Sequence, residues 1–107
     1  MLLLALYQGE PAGTVALRRL DRTAGELKRL YLRPQYRGHG LGRLLLESVM
    51  ERAGVMGYER LYADTLPAMA TALRLYQAVG FELTEAYSGN PTPGAIYMKR
   101  KLVADAH

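Results

Sequence analysis

The residues best suited to chemistry stand together as Arg37-Gly38-His39-Gly40-Leu41-Gly42-Arg43, with glycine at every second position between two arginines. Without a Cβ, such a backbone curls tightly and lets a ligand approach its amides. The run leads into an apolar pattern of helical period, so its last residues open a helix. There, unpaired N–H groups and the positive end of the dipole face outward. This is a place for phosphate oxygens. Two familiar phosphate motifs fail on spacing: no Gly-Lys-Ser/Thr follows, and Gly38-x-Gly40 lacks the third glycine of a dinucleotide fingerprint. The same glycines equally suit a tight strand-to-helix crossover that holds nothing. Charge is also concentrated here. Residues 18–43 carry Arg18, Arg19, Arg22, Lys28, Arg29, Arg33, Arg37 and Arg43 against Asp21 and Glu26, while the whole chain is only +4. A local positive field fits a phosphate-bearing cofactor or a nucleic acid, or is a solvated surface. His39, between glycines, reads as solvent-facing, and His107 is terminal.

These residues need elements to hold them. Residues 2–7 read as an apolar strand, Gln8-Gly9-Glu10-Pro11 as a turn, and residues 14–20 as the second arm of a hairpin. After a turn at residues 21–25, residues 26–32 alternate, with Leu27, Arg29 and Tyr31 on one face and Glu26, Lys28, Leu30 and Leu32 on the other. Arg33-Pro34 ends that strand before the glycine loop. Leu41, Leu44, Leu45, Val49, Ala53 and Met56 predict one helical face, and Gly57 stops it. Residues 59–64 form a strand. A second helix starts near Pro67, shares Met69, Ala72, Tyr76 and Val79 on one face, and closes at Gly80. Strands over 81–87 and 95–102, joined through residues 88–94, complete the order βββαβαββ. The fold class is α+β, a mixed, mostly antiparallel sheet flanked by two helices.

A length of 107 residues allows one domain, and half apolar with 22% charged residues is an ordinary globular composition. With no cysteine there is no disulfide framework, thiolate metal site or Cys nucleophile, and a reducing, cytoplasmic setting fits best. No metal is expected. The longest apolar run, residues 2–6, is too short to span a bilayer or serve as a signal peptide, so no membrane partner is expected.

The loop resembles the R/Q-x-x-G-x-G/A signature of the GNAT superfamily of acyl-CoA-dependent N-acetyltransferases. The likeness extends to residues 26–34 before the loop, then to Gly57-Tyr58-Glu59-Arg60-Leu61, Asp64-Thr65, Ala72-Leu73-Arg74-Leu75-Tyr76 and Gly80-Phe81. These anchors fall in order across residues 2–102. The resemblance implies acetyl-CoA as cosubstrate, its pyrophosphate held by amides of Arg37, Gly38, His39, Gly40, Leu41, Gly42 and Arg43. Its pantetheine arm would pair with the backbone of Leu30, Tyr31 and Leu32. It implies direct attack of a neutral primary amine, on a small molecule or a protein, with backbone N–H groups of that strand polarising the thioester carbonyl. Tyr76 stands where the family places a tyrosine beside the leaving sulfur. An ordinary Tyr, of pKa about 10, hydrogen-bonds a thiolate more readily than it protonates it, since a thiol titrates near 8.5. Glu26 lies at the offset where histone-acetylating members carry a glutamate base; its alternative is a strand-end carboxylate paired with Lys28 or an arginine.

Two features depart from the common pattern. Met69 replaces an Asn frequent seven residues before the tyrosine, and Asp64-Thr65-Leu66-Pro67-x-Met69 with Tyr87, Asn90-Pro91 and Gly94 resembles one branch of the family. The chain also reads as a short form that starts after the family's usual first strand and helices. An apolar edge at residues 2–7 is then expected to pair with a second copy, giving a homodimer or higher oligomer. Two other readings stand beside the enzyme: a coenzyme A-binding module without catalysis, and, less favoured, a basic nucleic-acid-binding domain.

Overall fold

A computed structural model describes residues 1–87 and 93–102. Its elements are β1 (Leu2–Tyr7), β2 (Glu10–Arg19), β3 (Ala24–Leu32), a 3-10 turn (Pro34–Tyr36), α1 (Leu41–Val55), β4 (Arg60–Thr65), α2 (Ala70–Ala78), β5 (Glu82–Thr84) and β6 (Ile96–Lys101). The order is the expected βββαβαββ. One sheet runs β1-β2-β3-β4-β6-β5. Only β3 and β4 pair in parallel; the other neighbours are antiparallel.

Several boundaries moved for local reasons. Gln8 and Gly9 alone make the first turn, both at positive φ (52° and 86°), a two-residue hairpin whose twist suits the strands, so β2 begins at Glu10. Asp21 Oδ1 accepts from the N–H groups of Thr23 and Ala24, both at 2.8 Å, closing the next turn. On α1 the buried face is Gly42, Leu45, Leu46, Val49 and Ala53, whereas Leu44 and Met56 are exposed, contrary to expectation. The period was right, and its phase was set by contact with β2. Gly57, at φ 97°, ends α1 as expected. α2 begins at Ala70 rather than beside Pro67, and Met69, expected on its buried face, is the exposed N-cap. β5 keeps only three residues of the expected strand over 81–87. Asn90, Pro91 and most of the joining loop lie outside the described residues, as does His107.

The main correction concerns β3. Thr14 pairs with Tyr31 but Ala16 pairs with Lys28, so two steps along β2 oppose three along β3. The extra residue is a β-bulge at Arg29, whose φ is 58°. It reverses the alternation. Leu27 faces the core and, past the bulge, Leu30 and Leu32 pack against that same core, while Arg29 and Tyr31 turn outward. The core lies between the sheet and the helices, around Val15, Leu27, Leu46, Val49, Leu61 and Met98, all fully buried.

Candidate active site

The bulge opens the site. β3 and β4 pair only from Ala24↔Arg60 to Leu27↔Ala63, and beyond that point both strands continue without each other. α2 crosses above the gap. The result is a cleft of about 510 Å³ with Leu30, Tyr31 and Leu32 on one wall and Ala68, Met69, Ala72 and Leu75 on the other; Arg37, Gly38, Gly40, Leu41 and Gly42 close its end. It narrows into a slot of about 90 Å³ between residues 27–30 and Asp64-Thr65, with Tyr76 at its side. Leu30, Met69 and Ala72 border both, so cleft and slot are continuous.

At the wide end, Gly40 caps α1 at φ 77° and Gly38 sits at 86°, the left-handed region glycine tolerates. A Cβ at either would touch nothing within 4 Å, so the loop face is open. No side chain caps α1 and no acid stands in its first turn. The N–H groups of Leu41, Gly42 and Arg43 therefore lack an intrahelical acceptor, and the dipole is uncancelled. Arg37 is held at the rim: its Nε donates to the Leu32 carbonyl at 3.1 Å and its guanidinium lies 5.9 Å from the Tyr31 ring centre. His39 is exposed beside the Tyr7 ring, 5.1 Å away, and Arg43 pairs with Glu47 at 3.3 Å along the helix. Neither side chain lines the cleft. Their backbone lies at the loop and helix start.

At the narrow end, Tyr76 is buried and meets Phe81 edge-on at 5.2 Å. Burial, and then the charge of Asp64, push its hydroxyl pKa well above the ordinary tyrosine value. The hydroxyl keeps its proton and can donate it in a hydrogen bond. Asp64 meets Lys28 Nζ at 3.6 Å across the gap, and the same ammonium lies 3.3 Å from Glu26. Glu26 is on the sheet face away from the helices, only 3% exposed, and does not line the cleft. Arg18 donates to its Oε1 at 2.8 Å and the Tyr87 hydroxyl to its Oε2 at 2.6 Å. Burial alone raises its pKa, but the bonds from Tyr87 and Arg18 and the Lys28 charge outweigh it, holding the carboxyl below the usual range.

The structure thus brings Leu30, Tyr31, Leu32, Arg37, Gly38, Gly40, Leu41 and Gly42 around one cavity and joins Tyr76 to it. The basic stretch is divided: Arg18 and Lys28 serve Glu26, Arg19 stacks 4.9 Å from the Tyr58 ring, and Arg33, Arg37 and Arg43 stand at or near the loop, Arg43 paired with Glu47. Sequence reasoning missed the slot-lining roles of Lys28, Asp64 and Thr65. The alternation of residues 61–64 set Asp64 on a polar face, but its facing Lys28 depends on the parallel register, which leaves no local signal.

The chain matches the Acetyltransferase (GNAT) family over residues 1–81 and belongs to that family. It is 42% identical over 77 residues to an uncharacterized N-acetyltransferase of Schizosaccharomyces pombe, covering 72% of this chain and 47% of that protein. A Bacillus subtilis uncharacterized N-acetyltransferase is 31% identical over 96 residues, covering 87% of this chain and 64% of its own. This chain accordingly spans about half the length of the first and under two-thirds of the second. In fold it is similar to a GNAT-family acetyltransferase of Staphylococcus aureus, with a TM-score of 0.85 at 24% identity over 95% of this chain and 67% of that one. A GNAT-family acetyltransferase of Elizabethkingia anophelis, solved with acetyl-CoA bound, gives 0.80 at 24% identity over 94% and 74%.

Proposed function

We propose that this chain binds acetyl-CoA along the cleft and catalyses transfer of its acetyl group to a primary amine on a small molecule or protein. The observation that carries this reading is the continuity of the cleft. An uncapped, open helix start lies at one end, a strand freed from its neighbour along the wall, and a buried hydroxyl donor at the other end. The amides of residues 37–43 would hold the pyrophosphate, with Arg37 at the rim, and the backbone of Leu30, Tyr31 and Leu32 would line the pantetheine arm. Acetyl-CoA supplies an activated acyl group. The amine nitrogen bonds to the thioester carbon and the carbon–sulfur bond breaks, with Tyr76 donating a hydrogen bond to the departing sulfur. Glu26 is the carboxylate proposed to take up the amine proton; it does not line the cleft, so the proton would reach it through a hydrogen-bonded relay. The absence of cysteine suits a cytoplasmic setting.

The test is release of free thiol from acetyl-CoA over a panel of amines, beside binding measured without an acceptor. Binding without turnover on any amine would leave the coenzyme A-binding module. Salt-dependent retention on oligonucleotides with indifference to acetyl-CoA would favour the nucleic-acid reading, which the scattering of the basic residues does not support.

We also propose that a second copy pairs along β1. Among the described residues β1 is one of the two edges of the sheet, and Leu2, Leu4 and Leu6 are 63%, 55% and 57% exposed. An antiparallel edge pairing is self-complementary, so it closes as a dimer.

A further inference from the structure

Thr65 ends β4 where the sheet has parted, and its side chain lines the slot together with Tyr76. The residue is only 5% exposed, yet its Oγ1 finds no hydrogen-bond partner among the described residues. A buried hydroxyl in that state costs free energy that an alkyl group of the same shape would not. The slot's other walls are mostly alkyl: Leu27, Leu30, Met69 and Ala72. Three charged residues also border it, Lys28, Arg29 and Asp64, and Lys28 faces Asp64 at 3.6 Å. The neutral donors that line it are the hydroxyls of Thr65 and Tyr76, reaching it from β4 and from α2.

We propose that Thr65 is a second hydrogen-bond donor to the sulfur of the acyl thioester, acting beside Tyr76 as that sulfur leaves. The inference rests on the acetyl-CoA reading above. In the step it serves, the amine nitrogen's lone pair forms the C–N bond and the C–S bond breaks with both electrons passing to sulfur. The amine proton departs to base or water. The sulfur becomes an anion in a narrow slot, where an added donor stabilises it. Thr65 donates its proton into a hydrogen bond and retains it.

The decisive comparison is binding of coenzyme A and of desulfo-coenzyme A, which lacks the sulfur, by calorimetry at about pH 9, above the ordinary thiol pKa of about 8.5. Thr65→Val keeps the shape and removes the donor. It should weaken coenzyme A about tenfold, the worth of one bond to a charged group, and leave desulfo-coenzyme A unchanged. Thr65→Ser should restore the preference for the thiolate. Thr65→Val should also melt no lower than the wild type, and its turnover of acetyl-CoA should fall through kcat rather than KM. Equal binding of coenzyme A by wild type and Thr65→Val overturns the proposal, as does an equal loss of both ligands, which would mark Thr65 as a packing residue. If the wild type binds neither ligand, the acetyl-CoA reading itself fails and the role of Thr65 falls with it.

Discussion

Tyr76 holds its proton because it is buried and because Asp64 stands near. Its contribution is therefore a hydrogen bond, and Tyr76→Phe should cut kcat by about a hundredfold, the order seen on removing one preorganised donor, with KM for acetyl-CoA little changed. Thiol-release kinetics would show it, and unaltered kcat would remove Tyr76 from the chemistry. Glu26, proposed as the base, is also a matter of stability. Its folded pKa lies below the unfolded reference of 4.5. The stability it contributes is thus fully present above that value and is lost as pH falls through the lower folded value. Glu26→Gln should destabilise the fold by about 1–3 kcal/mol near neutral pH and flatten the acid limb. Urea unfolding at about pH 7 and about pH 3 tests the sign; an equally steep acid limb in the variant would refute it. Both residues were singled out as candidates from family spacing. Their surroundings were not legible, because Tyr87 approaches Glu26 from 61 positions away.

The bulged β3 and the glycine cap of α1 set the shape of the cleft. Gly13 lies against the bulged strand, where a Cβ would come 2.6 Å from the Tyr31 carbonyl oxygen and 2.5 Å from a Leu32 methyl. Backbone cannot yield as a side-chain tip does. Gly13→Ala should cost about 1–3 kcal/mol, a melting point lower by several degrees. An unchanged melting curve would mean that β2 and β3 are less tightly joined than the structure has them. Gly40→Ala meets no neighbour but must hold φ 77°. It should cost only about 1 kcal/mol in stability while weakening acetyl-CoA through a displaced loop. Most element types were legible, since period two and period 3.6 are local properties. The bulge was missed: Lys28-Arg29, two polar residues in succession, break the alternation of Glu26 to Leu32, but only pairing with β2 shows that a residue is inserted there.

For the whole molecule, acetyl-CoA at a hundred times its dissociation constant should add about 2.7 kcal/mol and raise the melting temperature by several degrees. NAD and oligonucleotide should do nothing. Leu4→Lys on the β1 edge should turn a dimer into a monomer in sedimentation velocity; a wild type that is monomeric at high concentration would end the dimer proposal. The sequence by itself determined the element order, the strand-loop-helix that presents open amides, and the family, since each rests on residues adjacent in the chain or on ordered anchors. Only the tertiary structure decided where β3 leaves β4, that Lys28 faces Asp64, and that Thr65 and Tyr76 share one slot. Those depend on register and on α2 crossing the gap, contacts between residues far apart in sequence that no local pattern records.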